Sequence, residues 1–169
     1  MNRTKLSPGT HTAEQVAELL QLAPLEQEGG YFRRVAEAEA ILPGSDRRAW
    51  SAIYFLVTPE GFSAMHQLDT DEIWSFLAGD PLESLRLAPV GTGCMVQLGA
   101  NPAEGQLPLD VVPARTWQGT RLRPGGRWAL VSCVVAPEFR WSDFVLGERA
   151  ALTAAYPAFS AEIRALTRG

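Results

Sequence analysis

Lysine is nearly missing from this chain, histidine and cysteine are scarce, and no long apolar run occurs. Each shortage removes a class of function. The 169 residues hold one lysine, Lys5, two histidines and two cysteines. Lys5 lies far from any motif, so no lysine and no other obvious cation is at hand to stabilise an enolate in a pocket. Cys94 and Cys133 lack metal-ligand spacing and are too few to staple a secreted domain. Cys133 sits inside the apolar run ALVSCVVA, where a free thiol behaves as a small hydrophobe. No stretch approaches the ~20 apolar residues of a membrane span, and MNRTKLSPGTHT has no apolar signal core. A soluble, cytoplasmic protein without a membrane partner is expected. The net charge of −4, from 19 acidic and 15 basic residues, gives no electrostatic reason for nucleic acid or anionic lipid as a partner. With 46% hydrophobic and 20% charged residues, the composition also excludes disordered and collagen-like classes.

What is present points to one domain over 1–169, because the length fills one core and no linker or repeat interrupts it. Residues 1–27 read as a helix and lead-in. Thr12 followed by Gln15 makes a capping box, and Val16, Leu19 and Leu20 form an apolar stripe that ends before Pro24. Residues 28–146 show short β-type runs punctuated by glycine, proline and aspartate. Strands are expected over 31–35, 51–58, 63–68, 72–77, 82–90, 94–98, 109–112, 117–122, 127–136 and 143–146. Such even spacing without intervening helices predicts an all-β fold, with a double-sheet jelly roll fitting best. Helical patterning returns over 147–169, where Phe159, Ile163 and Leu166 form a second stripe that can cover one face.

The run from Gly61 to Gly79, GFSAMHQLDTDEIWSFLAG, spaces a glycine, His66, Glu72 and a closing glycine. Taken with EGGYFRR at 28–34, VVPARTWQ at 111–118 and ALVSCVVAPEF through DF at 129–144, it resembles the type five branch of the cupin superfamily. The resemblance covers nearly all of the chain after the first helix. It implies a double-stranded β-helix of the RmlC-like kind, usually dimeric, with a pocket inside the barrel, and it implies no settled reaction. There are departures. Glu26 and Gln27 stand where the family commonly has His-Pro, Glu138 stands in a Pro-Gly-Phe turn, and Arg115 replaces the glycine of a PAG turn. Leu68 occupies the second histidine position of the first cupin motif, and Gln118 stands where a second motif supplies another histidine. His66, Glu72 and Gln118 are then the remaining metal candidates. Two strong ligands and an amide make a poor transition-metal site, so no metal and no other cofactor is expected.

Strand alternation puts Ala64, His66 and Leu68 on one face, with Met65 and Gln67 on the other. If that face lines the barrel, His66 can act as a general base. Glu72 can orient it or bind a substrate hydroxyl. Trp74 shares the face of Glu72 and offers an apolar wall, as Trp117 does near Gln118. In EGGYFRR, Tyr31 and Arg33 fall on one face and Phe32 and Arg34 on the other. An inward Arg33 binds an anion and an inward Tyr31 supplies an acid. Tyr54 reads as pocket or core, and Asp143 as a partner for His66 or a turn residue. The resemblance makes a metal-independent isomerase or epimerase acting on a sugar or sugar nucleotide the leading expectation, with His66 as base and Tyr31 or Tyr54 as acid. The alternative is a pocket that binds a carbohydrate or metabolite without turnover, held by His66, Glu72 and the tryptophans. A homodimer through sheet edges or exchanged N-terminal strands is expected.

Overall fold

A computed structural model describes residues 5–168. The chain opens with helix α1 (Ala13–Leu20). Its capping box is formed as expected: the Thr12 hydroxyl accepts from the Gln15 amide, and the Gln15 side chain accepts from the Thr12 amide. Eleven strands follow in chain order. They are β1 (Ala23–Pro24), β2 (Tyr31–Glu37), β3 (Ser51–Val57), β4 (Ser63–Leu68), β5 (Asp71–Gly79), β6 (Leu82–Leu87), β7 (Gly93–Leu98), β8 (Leu109–Val112), β9 (Trp117–Leu122), β10 (Ala129–Ala136) and β11 (Phe144–Leu146). Helices α2 (Arg149–Ala155) and α3 (Ser160–Ala165) close the chain.

The strands form two antiparallel sheets. One has the order β1-β2-β3-β10-β5-β8 and the other β11-β4-β9-β6-β7. This is the all-β jelly roll that the strand spacing predicts. The added strand is β1, two residues at an edge, where Pro24 costs no ladder donor. β5 runs past Leu77 to Gly79 because a bulge opposite Leu130 and Val131 absorbs one residue. The Arg115 turn keeps its left-handed backbone, at φ 63°, without the glycine.

Each sheet packs on the other with its inner face and is partly covered by helix on its outer face, and that positions the site. Between the sheets, Phe55, Val57, Trp74, Leu82, Leu98 and Val131 fill one part of the barrel. Outside the six-stranded sheet, α1 docks Val16 against Leu56, Trp128 and Leu130. Outside the five-stranded sheet, Leu152, Tyr156, Ile163 and Leu166 pack on Met65, Leu85 and Leu87. Among the described residues no helix is long and apolar enough to cross a membrane.

Candidate functional site

The barrel interior keeps one cavity of about 120 Å³, with Leu25, Phe32, Ile53, Leu68, Val135 and Phe144 on its apolar walls. Its polar groups are Glu28, His66 and Glu72, with the Cys133 thiol beside them and Arg34 at the rim. A larger groove of about 830 Å³ runs outside the barrel between 8–15, 58–61 and Trp128. It holds no buried titratable side chain, so the smaller cavity is the candidate site.

Three segments build it. β4 carries His66 and Leu68 inward on one face, as alternation predicts, with a register irregularity between Ser63 and His66, and β5 carries Glu72 inward. Glu28 comes from a turn. Gly29 and Gly30 sit at φ 112° and 71°, and a Cβ on Gly30 would lie 2.7 Å from the Leu56 carbonyl, so the turn needs glycine there. The Glu28 carbonyl accepts from the Ala64 amide at 3.1 Å, which fixes the turn to β4.

The imidazole of His66 lies between the two carboxylates. Its Nδ1 donates to the Ala64 carbonyl at 2.9 Å and lies 3.7 Å from Glu28 Oε1. Its Nε2 lies 3.9 Å from Glu72 Oε2, too far for a hydrogen bond. Phe144 stacks on the ring at 5.1 Å. Glu28 Oε1 also accepts from the Ser63 hydroxyl. Behind Glu72, the Gln118 amide nitrogen donates to Oε2 at 2.6 Å, and the Gln118 oxygen accepts from Arg86 at 3.1 Å. Arg86 in turn pairs with Asp110 at 3.0 Å. A buried chain of polar groups therefore runs from Asp110 to Glu28 across the barrel.

This chain sets the proton positions. Burial alone would lower the His66 pKa, but Glu28 and Glu72 on either side outweigh it and raise it to about 9. Burial pushes the Glu28 carboxyl up and Glu72 adds to the push, with His66 opposing. Burial would raise Glu72 too, but His66 and the Gln118 amide hold it below the usual carboxylate value. Burial lifts the Cys133 thiol well above its ordinary value, so it is a poor nucleophile. At neutral pH the site holds an imidazolium between an ionised Glu72 and a Glu28 whose proton is held more tightly than usual.

Several expectations are corrected by these positions. Tyr31 and Arg33 do share a face, but it is the outer one: Tyr31 and Tyr54 pack under α1, and Arg33 donates to Gln21 at 3.1 Å. Phe32 and Arg34 face inward instead. The cause is α1, which gives the outer face of the sheet an apolar cover. Trp117 likewise points outward, against the C-terminal helices. Trp74 is interior but is packed edge-on against Phe55 in the filled part of the barrel and does not wall the cavity. Gln118 lies behind Glu72 rather than in the cavity wall. Asp143 pairs with Arg47 at 2.7 Å, away from His66. Glu28 and Arg86 are the groups the sequence reading did not assign. Arg86 is also the buried cation it found lacking.

The donor set does not fit a transition metal. Glu28 and Glu72 stand against opposite nitrogens of His66, so they cannot converge with one of them on a single ion. Both ends of the Gln118 amide are engaged, and the Arg86 guanidinium backs the site. Among the described residues no cluster of three histidine, cysteine or acidic side chains is arranged to hold a metal.

Comparison with known proteins agrees with the fold. Residues 14–147 match the signature of the family described as Cupin superfamily (DUF985). The chain belongs to this cupin family. A protein of known structure from Shewanella oneidensis is 34% identical, with a TM-score of 0.87 over 94% of this chain and 99% of that one. A hypothetical protein from Leishmania major is 32% identical, with a TM-score of 0.86 over 94% and 100% of the two chains. Oxalate decarboxylase from Bacillus subtilis shares the fold alone, at 16% identity and a TM-score of 0.53 over 85% of this cupin and 36% of that enzyme. Among curated proteins nothing matches the chain.

Proposed function

We propose that this cupin, a small-molecule-binding domain by family and fold, is a metal-independent isomerase. It would move a proton between positions of a small oxo or hydroxy compound, the size of a single ring. The observation that carries the reading is the split triad. Two carboxylates flank one imidazole, one pushed up and one held down, which is how paired groups in active sites divide acid and base roles. The roles differ from those the sequence suggests. His66 holds its proton and serves as the acid, while Glu28, lifted by burial, serves as the base. The 3.9 Å gap between Nε2 and Glu72 leaves that N–H free for a substrate oxygen. In the proposed step, Glu28 takes a proton from the carbon next to a carbonyl as the imidazolium hydrogen-bonds the developing enolate oxygen. Glu28, whose proton exchanges with water while the enolate stands, then delivers a proton to the neighbouring carbon as His66 Nε2 passes the hydroxyl proton to the former carbonyl oxygen, and Glu72 favours the charged imidazolium. A cavity of about 120 Å³ supports a ring-sized substrate, since an apolar cavity of ~150 Å³ takes up benzene, and it argues against a whole sugar nucleotide.

A non-catalytic binding role is the second reading, favoured by the aromatic wall of Phe32, Phe139 and Phe144. One experiment separates the two. The protein is incubated in D₂O with a panel of small sugars, oxo acids and cyclic ketones, and carbon-bound deuterium is read by mass spectrometry. Incorporation that Glu28→Gln abolishes supports the isomerase. Binding of a compound without exchange of any carbon-bound proton supports the carrier. We also propose a homodimer along the edge of the six-stranded sheet, where Leu109 and Val111 of β8 stand half exposed.

A further inference from the structure

Apart from Leu25 and Glu28, the cavity wall is strand except where the segment from Pro137 to Asp143 adds Phe139 and Trp141 to the lining. Phe139 meets Trp141 edge-on at 5.0 Å, and Trp141 meets Phe144 at 5.4 Å. Phe144 in turn stacks on His66. The aromatic plug therefore reaches from solvent, where Trp141 is half exposed, down to the imidazole.

The segment joins no sheet. Its backbone is tied by the Glu138 amide to the Arg48 carbonyl at 3.1 Å and by the Phe139 amide to the Ser51 hydroxyl at 3.0 Å. Arg34 and Arg47 donate to the carbonyls of Phe139 and Glu138. The Arg48 amide donates to Glu138 Oε1 and Arg140 to the Asp46 carbonyl, each at 3.0 Å, and the remaining polar ties are ionic. Arg47 lies 2.7 Å from Asp143, without hydrogen-bond alignment. Arg140 pairs with Asp46 at 2.9 Å and with Glu138 at 3.4 Å, and Arg34 lies 3.9 Å from Glu138. The other half of this clasp, 45–48, is also a loop. Partly exposed ion pairs hold weakly and are screened by salt, whereas the barrel is held by buried apolar packing that salt does not loosen. Segments held in this way open well below the free energy of global unfolding.

We propose that Pro137–Asp143 is a lid over the cavity, latched to Asp46 and Arg47 by charge, and that its opening sets the rate at which a ligand reaches His66. The gate does not depend on whether the pocket catalyses a reaction.

Cys133 lines the cavity and reports on it directly. In a Cys94→Ser protein it is the sole thiol; its raised pKa slows the reaction in every sample alike, so relative rates of conversion to a mixed disulfide by methyl methanethiosulfonate, followed by intact mass at one pH, report access. Arg47→Gln, which removes the pair with Asp143 and the bond to the Glu138 carbonyl, is expected to raise that rate by at least about fivefold. Raising NaCl from about 0.05 to 0.5 M is expected to raise it about threefold in the parent and less in the variant. Arg121→Gln is the control, since it removes a somewhat more exposed pair with Glu83, 2.6 Å apart and away from the segment. It should leave the rate unchanged. Parent-like labelling of Arg47→Gln, or equal acceleration by Arg121→Gln, overturns the lid. If Arg47→Gln does not fold, the salt arm decides, and a rate indifferent to salt overturns it.

Discussion

Glu72→Gln is the substitution that most sharply probes the buried triad. It keeps the shape of the side chain and removes the charge 3.9 Å from His66 Nε2. At an effective dielectric constant of ~20, two unit charges at that distance attract by about 4 kcal/mol, or about 3 pKa units. Glu28, on the other side of the ring, remains in the variant and still acts to raise the imidazole pKa. The His66 pKa, about 9 in the parent protein, should therefore fall to about 6 in Glu72→Gln. Long-range nitrogen–proton NMR of the imidazoles measures this, and with two histidines in the chain a His11→Gln sample assigns the signals. A parent His66 that titrates at or below 6.5, or one that Glu72→Gln does not move, would refute the charge arrangement and the acid role built on it.

Three further outcomes follow from the same geometry. A group whose pKa rises from 6.5 to about 9 on folding contributes stability that is complete below pH 6.5 and lost as pH rises through 9. The advantage of the parent over His66→Gln in urea unfolding should therefore shrink by up to about 3 kcal/mol between pH 6 and 10, and a constant difference would contradict it. Elemental analysis of protein purified without a metal-affinity tag should find far less than one equivalent of iron, manganese or zinc, whereas one equivalent lost in His66→Ala would restore a metal reading. Light scattering at micromolar concentration should give the mass of a dimer, and Leu109→Lys with Val111→Lys should return a monomer; a parent monomer sinks the edge contact.

The jelly roll was legible because turn residues bound nearly every strand and because alternation in SAMHQL points His66 and Leu68 the same way. Alternation fails where both faces of a sheet are covered. In β6, LESLRL puts Leu85 and Leu87 under the C-terminal helices and Arg86 into the barrel, so an arginine that reads as surface is buried. The same helical cover takes Tyr31, Tyr54 and Trp117 on the outer faces, because periodicity gives apolar stripes on the helices without saying which strand residues they meet. Glu28 was hidden for another reason. It belongs to a turn, and only the left-handed backbone at Gly29 and Gly30 brings it beside β4, a tertiary placement that strand periodicity does not encode.

The central claim is that the cavity between Glu28 and Glu72 is where the substrate reacts. A crystal structure with the compound that exchanges its proton, or that co-purifies, tests it most directly. The account predicts that compound inside the barrel, an oxygen within hydrogen-bond distance of His66 Nε2 and a carbon-bound hydrogen facing Glu28. The same compound bound in the outer groove beside Trp128, with the barrel cavity unchanged, would contradict it.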